Sequence, residues 1–328
     1  MEQIERSIRG VNVAVIGGAG FLGSHLVDHL IEDRNCNVIV LDNLISGHKK
    51  FVNKKATFIW CDITHSEEQL RKIFIQHKIE YVFNYAAEPY IPVSFQRPLH
   101  VFDINARGAL LVLNAAQEAG VKGILQVSSA EIYGQVDGKI NEECKAVPHS
   151  TYGASKLAID SLVQARWREA KTPAIALRQF NCYGPRETHE YVIPVIIEQI
   201  AKQGSVVGDC VTVRLGNNSS RDFQYAGDAV RMATELLEKG KFGEVYNMGS
   251  EETIKIYDLA QRIGKVMGTD GVIIEEDESR KRPWEIWHLQ SDNTKLYGVI
   301  DYRPQTSLTD GLYTTVKDYI DNGWAYKN

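Results

Sequence analysis

Three side chains near the middle of the chain form a set able to move a proton. Tyr152 and Lys156 stand four residues apart in Tyr152-Gly-Ala-Ser-Lys156, so on a helix they share one face. Ser129 closes the run Val127-Ser128-Ser129, from which a hydroxyl can meet the same substrate oxygen as the phenol. A phenol with a pKa of ~10 is a poor base at neutral pH. A nearby ammonium favours the phenolate and is expected to lower that pKa. A second constellation lies near the start of the chain. The run Gly17-Gly18-Ala19-Gly20-Phe21-Leu22-Gly23 satisfies both Gly-x-Gly-x-x-Gly and Gly-x-x-Gly-x-x-Gly. Glycines so spaced permit a tight turn, then a close approach of backbone to a pyrophosphate at a helix N-terminus. A glycine-rich turn also serves simply to end a strand, so context decides. Asp42 follows Gly23 by 19 residues, near the ~20-residue offset at which a carboxylate accepts from an adenosine ribose. A carboxylate there repels a 2′-phosphate, so NAD is expected over NADP. An oxidised nicotinamide would join Lys156 in favouring the phenolate, and Lys156 could also hold the nicotinamide ribose. Asp42 in Asp42-Asn43 has an alternative reading as a turn residue. Asp62 either reaches the adenine amine or caps a turn.

These groups need strand ends and helix starts to hold them. Short apolar runs rich in β-branched residues predict strands over 11–16, 38–41, 57–60, 81–85, 124–127 and 174–177. Helical patterns separate them, over 21–31, 67–76, 101–119 and 152–170. This alternation predicts an α/β fold: a doubly wound parallel (Rossmann) sheet covered on both faces. Beyond about residue 180 the pattern is less regular. Helices are expected over 192–202, 228–237, 256–267 and 308–320, and strands over 211–215 and 244–248, with a charged stretch from Glu275 to Arg282. The expected organisation is a dinucleotide-binding domain over 1–180, with segments near 222–250 returning to it. Residues 181–328 mainly form a smaller α+β substrate lobe. No Gly/Ser/Pro-rich linker divides the two, so they should pack closely.

Composition bounds the function. In 328 residues, 44% hydrophobic and 24% charged, there is enough apolar side chain for a folded core, which excludes wholesale disorder. The net charge of −5 makes a poor general nucleic-acid binder. No stretch approaches the ~18 apolar residues of a membrane span. Met1–Gly10 lacks the apolar run of a signal peptide. Five scattered cysteines without a Cys-x-x-Cys pair fit a reducing cytoplasm rather than a disulfide framework. His25 and His29 have a zinc-compatible spacing, but no His-Glu-x-x-His surrounds them and no metal is expected.

In this order, the glycine loop, Asp42, Ser129, Tyr152 and Lys156 resemble the extended short-chain dehydrogenase/reductase superfamily. The likeness covers essentially the whole chain. Further shared pieces are Asn84-Tyr-Ala-Ala87, Asn105, Arg178-Gln-Phe-Asn-Cys-Tyr-Gly-Pro185, Arg221-Asp-Phe223 and Arg282-Pro283. Within that superfamily the chain is similar to the nucleotide-sugar epimerases and dehydratases. The resemblance implies permanently held NAD in the N-terminal domain and a nucleoside-diphosphate sugar in the C-terminal lobe. It assigns to the cofactor Gly17, Gly20, Phe21, Leu22 and Gly23, then Asp42, Asn43, Asp62 and Ile63, and finally Ala86, Ala87, Tyr152 and Lys156. It assigns the diphosphate to Asn181, Arg221 and Arg282; guanidinium forks suit phosphate oxygens. For Arg280-Lys281-Arg282 the alternative is a solvated basic surface. A homodimer is implied through the helices at 101–119 and 152–170.

The resemblance also implies a common start: Tyr152 takes the proton of the sugar 4-hydroxyl while NAD oxidises C4. The 4-keto sugar then branches to 4-epimerisation, to 4,6-dehydration, or to decarboxylation of a 6-carboxylate. The 4,6-dehydratases carry a Glu in the stretch Ser129-Ala130-Glu131, where it serves as the C5 base; Glu131 therefore favours dehydration. An alternative reading is a loop glutamate bound to backbone N–H groups. Ala130 departs from the dehydratase pattern, since it replaces the usual acid with a methyl. Decarboxylases also carry this Glu but need a cation for the 6-carboxylate. Distributed likeness, including Ile91-Pro-Val-Ser-Phe95 and the tail from Arg282, points to soluble nucleotide-HexNAc 4,6-dehydratases. Trp284 and Trp287 in that tail could stack on a base or sugar, with interior packing expected for at least one.

Overall fold

β-Branched runs become the strands at the centre of the main sheet, buried on both faces. The computed structural model describes residues 6–204 and 207–322. In chain order the first part runs β1 (Asn12–Ile16), α1 (Phe21–Glu32), β2 (Asn37–Asp42), β3 (Thr57–Trp60), α2 (Glu67–Gln76) and β4 (Tyr81–Asn84). Short helices α3 (Ile91–Gln96) and α4 (Pro98–Phe102) lead to α5 (Gly108–Glu118), β5 (Gly123–Ser129), α6 (Thr151–Ala170) and β6 (Ala174–Gln179). Then come β7 (Asn181–Tyr183), α7 (Val192–Ala201), β8 (Cys210–Leu215), β9 (Ser220–Tyr225), α8 (Ala226–Lys239) and β10 (Val245–Met248). The chain ends with β11 (Thr253–Lys255), α9 (Ile256–Val266), β12 (Gly271–Glu276), β13 (His288–Leu289), α10 (Thr294–Tyr297) and α11 (Leu308–Asn322).

The main sheet has seven parallel strands in the order β10-β6-β5-β4-β1-β2-β3. One face packs Leu26 and Leu30 of α1 with Met232 and Leu236 of α8. The other packs Phe74 of α2, Leu113 of α5 and Val163 of α6. This is the doubly wound Rossmann-like α/β fold. The strand order reverses between β1 and β4, and in such sheets the crevice beyond the carboxyl ends at that point is where ligands bind. A third core lies outside the sheet, built from Ile196, Ile197 and Ile200 of α7, Val213 of β8, Leu259 and Ile263 of α9, and Leu312 of α11. Over it lie β9 with β7, β11 and β13, and the parallel pair β8–β12. α8 and β10 follow β9 in the chain but pack on α1 and β6 of the main sheet.

Two departures from the sequence reading bear on the site. The apolar period over 101–119 reads as one helix, yet the structure interrupts it with a π-helical turn at Asp103–Arg107. Asn105 lies in that turn. Its Oδ1 accepts from the Glu88 N–H (2.8 Å) and its Nδ2 donates to Ser155 Oγ (3.0 Å), so the side chain ties the helix to two neighbours. Single π-turns of this kind are frequent at functional sites. The charged stretch after 275 begins inside a strand: Glu275 and Glu276 end β12, whose pairing with β8 needs only its backbone and one apolar face.

Candidate active site

The carboxyl ends of β1, β4, β5 and β6 open on one cleft of about 510 Å³. Gly17 turns the chain at φ +76°, and a methyl added to it would lie 2.7 Å from Ala86 N, so only glycine lets the two strand ends meet. An added methyl at Gly23 would strike Gly17 O at 2.0 Å, which is why α1 can begin so close beneath the loop. α1 starts at Phe21, behind Gly20 as its N-cap, with no side-chain cap and no acidic residue in its first turn, leaving a helix N-terminus suited to a phosphate. Asp42, at the end of β2, is buried and accepts from Ala19 N–H (3.0 Å) and Leu44 N–H (2.8 Å). Burial pushes its carboxyl above the ordinary value while those two donors pull it down. Asp42 is thus both the turn residue and a cleft-lining carboxylate. Asn43 Nδ2 donates to Asp62 Oδ2 (3.0 Å). Burial pushes Asp62 up, but hydrogen bonds from Thr64 and Asn43 together hold it below the usual range. Gly17, Gly20, Phe21, Leu22, Gly23, Asp42, Asn43, Asp62, Ile63, Ala86, Ala87, Tyr152 and Lys156 all line this cleft. The glycine cradle, uncapped helix start and ribose-side carboxylate fit a dinucleotide.

α6 begins at Ser150, whose side chain accepts from Gly153 N–H, so Tyr152 and Lys156 fall in its first two turns facing β5. Both are buried. A hydrogen bond links the hydroxyls of Tyr152 and Ser129. Lys156 Nζ donates to Val127 O (3.1 Å) and lies 5.8 Å from the centre of the Tyr152 ring. Burial lowers Lys156 to about 8, with Asp160 partly opposing. Burial also pushes Tyr152 up; the Ser129 hydrogen bond opposes this, and Glu131 and Glu88 add to it. The phenol therefore stands above its ordinary value, where the Tyr–Lys spacing suggests one below it: desolvation of the phenolate is the largest cause.

Glu131 sits two residues beyond the end of β5, on the same cleft, with its N–H donating to Ser129 Oγ (3.2 Å). Burial raises its carboxyl, opposed by Arg282, Arg221 and His149 and reinforced by Glu285. Asn181 lines the cleft, and its Oδ1 is buried without a partner. Arg221 and Arg282 lie beyond that lining. Arg221 is buried and spends its guanidinium on Glu285 Oε1 (2.6 Å), while Asn217 Nδ2 donates to Glu285 Oε2 (2.7 Å). Arg282 is half-buried and acts on both Glu131 and Arg221. Neither Trp284 nor Trp287 packs inside: they are 71% and 58% exposed, Trp284 beside His149. Ile286, between Glu285 and Trp287, is the side chain of this stretch that packs inside. His25 meets Pro185 O and His29 meets Asp33, and no cluster of three metal-ligating side chains occurs among the described residues.

Sequence reading missed several groups here. Asp160, one turn beyond Lys156, receives Arg178 Nε (2.8 Å), while Ser128 Oγ donates to Lys156 O (3.1 Å), forming a buried polar floor under the lysine. The i, i+4 spacing from Lys156 was a signal for it. Glu88, Glu187 and Tyr191 line the cleft with no motif to mark them.

A doubly wound sheet with a glycine loop at its switch point and a Ser–Tyr–Lys set beside it defines a dinucleotide-dependent enzyme. Residues 13–249 match the NAD dependent epimerase/dehydratase family. The chain is 30% identical to dTDP-D-glucose 4,6-dehydratase of Homo sapiens, over 96% of this chain and 92% of that one. A UDP-glucose 4-epimerase of Thermotoga maritima, solved with UDP-glucose, is 30% identical with a TM-score of 0.86, over 95% of this chain and 99% of that one. DesIV of Streptomyces venezuelae, a dTDP-glucose 4,6-dehydratase solved with NAD bound, is 27% identical with a TM-score of 0.86, over 96% and 100%. The chain belongs to the NAD dependent epimerase/dehydratase family, and NAD is its cofactor. No helix among the described residues is long and apolar enough to cross a membrane.

Proposed function

We propose that this enzyme is a nucleotide-sugar 4,6-dehydratase. The observation that carries the reading is Glu131, a carboxyl on the same cleft as Tyr152 and displaced upward by burial. Such displacement brings a carboxyl nearer the working pH of an acid–base catalyst. Tyr152 takes the proton of the sugar 4-hydroxyl, with Ser129 holding the same oxygen. NAD, when bound, supplies the oxidant for C4 and is regenerated when the electrons return to C6. The 4-ketone makes the C5 proton acidic, and Glu131 removes it. The 6-hydroxyl departs as water with the proton Glu131 took from C5, since the Ala130 methyl offers none; Glu131 then takes a proton from solvent and delivers it to C5 as the electrons return to C6. Lys156 holds the nicotinamide ribose and keeps positive charge beside Tyr152. Asn181, Arg221 and Arg282 bind the diphosphate, so the part after residue 180 forms most of the sugar-nucleotide lobe and the part before it holds the cofactor. A homodimer through α5 and α6 is supported by Phe95, Leu99 and Phe102, which the short helices before α5 leave exposed.

A second reading, nucleotide-sugar 4-epimerase, draws on Ala130, because no dedicated acid for the 6-hydroxyl stands there. Mass spectrometry after incubation with a panel of nucleoside-diphosphate sugars separates the two. A dehydratase product is lighter by one water; an epimerase product keeps its mass, and loss of CO₂ would point to decarboxylation instead. Light scattering at micromolar concentration checks the dimer, which a monomer mass would contradict.

A further inference from the structure

Between β7 and α7, the segment 184–187 is held in an unfavourable shape for a purpose the reaction above does not use. Arg186 has φ +66°, in the left-handed region that a long side chain seldom occupies. Three tethers hold it there. His25 Nε2 donates to Pro185 O (2.8 Å), Arg186 Nη2 donates to Asp28 Oδ2 (2.7 Å), and Arg186 N–H donates to Asp318 Oδ2 (3.0 Å). His25 and Asp28 belong to α1, the helix whose start forms the cofactor cradle. A methyl added to Gly184 would lie 3.6 Å from the Phe21 ring, so the segment also leans on the glycine loop.

The residue this arrangement delivers is Glu187. It is 5% exposed, it lines the cleft, and its Oε2 is buried without a hydrogen-bond partner. Buried polar atoms are almost always paired, so an orphan facing a ligand cleft marks a ligand contact. Its segment is tied to α1, the helix that starts at the glycine loop, so Glu187 enters the cleft on an element fixed to the cofactor cradle.

We propose that Glu187 is a cofactor-positioning residue that hydrogen-bonds the carboxamide of the nicotinamide and fixes the orientation of that ring against the sugar. Burial pushes the Glu187 carboxyl well above the usual range, opposed only by a backbone hydrogen bond from Gly184. A neutral carboxylic acid has one donor and one acceptor, the complement of a primary amide edge. A charged carboxylate at this depth without a cation would be unfavourable. The inference rests on the placement of NAD in the cleft, which Gly23→Val tests separately: that variant must lose both NAD⁺ and ADP-ribose.

The experiment is calorimetric titration of the wild type, Glu187→Gln and Glu187→Ala, each freed of copurified nucleotide, with NAD⁺ and with ADP-ribose. Glu187→Ala is expected to weaken NAD⁺ by about ten- to a hundredfold, the effect of leaving one buried partner unpaired. ADP-ribose, which has no nicotinamide, should bind all three proteins alike. Glu187→Gln should recover most of the NAD⁺ affinity. Should Glu187→Ala not fold, the wild type decides with the 3-acetylpyridine analogue of NAD⁺, which keeps the carbonyl and lacks the amide N–H donors and should bind more weakly. Equal losses for NAD⁺ and ADP-ribose, unchanged NAD⁺ binding, or equal wild-type affinity for the acetylpyridine analogue would each overturn the proposal. Normal dinucleotide binding by Gly23→Val would overturn the placement and the Glu187 contact with it.

Discussion

At the cofactor end of the cleft the contacts are backbone and steric. Gly17 and Gly23 touch neighbouring main chain so closely that no side chain fits, and Asp42 holds two backbone N–H groups. At the end proposed for the sugar nucleotide they are side chains from distant elements: Arg221 of β9 pairs with Glu285, 64 residues later, and Arg282 opposes the rise of the Glu131 carboxyl. The first kind of site is rigid and tolerant of nothing larger than glycine. The second is assembled from long charged side chains and can be retuned one residue at a time. A family that keeps one cofactor while changing sugars needs both properties.

Changes at the reacting groups, between the two ends, should have the largest effect. Tyr152→Phe removes the group proposed to accept the 4-hydroxyl proton while keeping the ring. Turnover should fall by at least ~10²-fold, the low end for a positioned acid–base group. No NADH should accumulate in single-turnover absorbance, and cofactor binding should be unchanged. Retained C4 oxidation in this variant would remove Tyr152 from its role.

Arg221→Ala sharpens the contrast between the ends. A charge-assisted hydrogen bond to phosphate contributes about 1.5–3 kcal/mol, so KM for the nucleotide sugar should rise by about ten- to a hundredfold. NAD⁺ affinity should not move. The variant also leaves Glu285 buried without its cation, so the melting temperature should drop. Equal effects on cofactor and sugar nucleotide would show that the two ends are not independent.

The smallest expected effect is a pH limb. Burial lowers Lys156 from its ordinary value to about 8, so its cation is present below about 8 and lost above. If that cation supports Tyr152, kcat/KM should decline as pH rises through about 8. Lys156→Arg, which stays charged across this range, should lose the limb even at reduced activity. An alkaline limb that persists in Lys156→Arg would assign it to another group.

The same contrast explains what was legible in the sequence. The glycine loop, Asp42 and the Tyr–Lys spacing are local patterns whose geometry follows from a few consecutive residues, and the alternating strands and helices locate them on one sheet edge. The π-turn at Asn105 was not legible, because the apolar period runs through it; only the bonds to Glu88 and Ser155 reveal why the helix yields. The Arg221–Glu285 pair depends on tertiary folding and has no local mark. At least one of Trp284 and Trp287 reads as core from its type, yet both are exposed and Ile286 beside them is the buried residue. Tyr152 shows the limit of spacing arguments about pKa, since burial decides the sign there.

The central claim is that Glu131 removes the C5 proton of a 4-keto sugar. Its most direct test is turnover in deuterium oxide with the accepted nucleoside-diphosphate sugar, followed by mass and NMR analysis of the product. The account predicts loss of one water with solvent deuterium at C5. It also predicts that Glu131→Gln still oxidises C4 but loses both the exchange and the elimination. Wild-type turnover with no deuterium at C5 would contradict it.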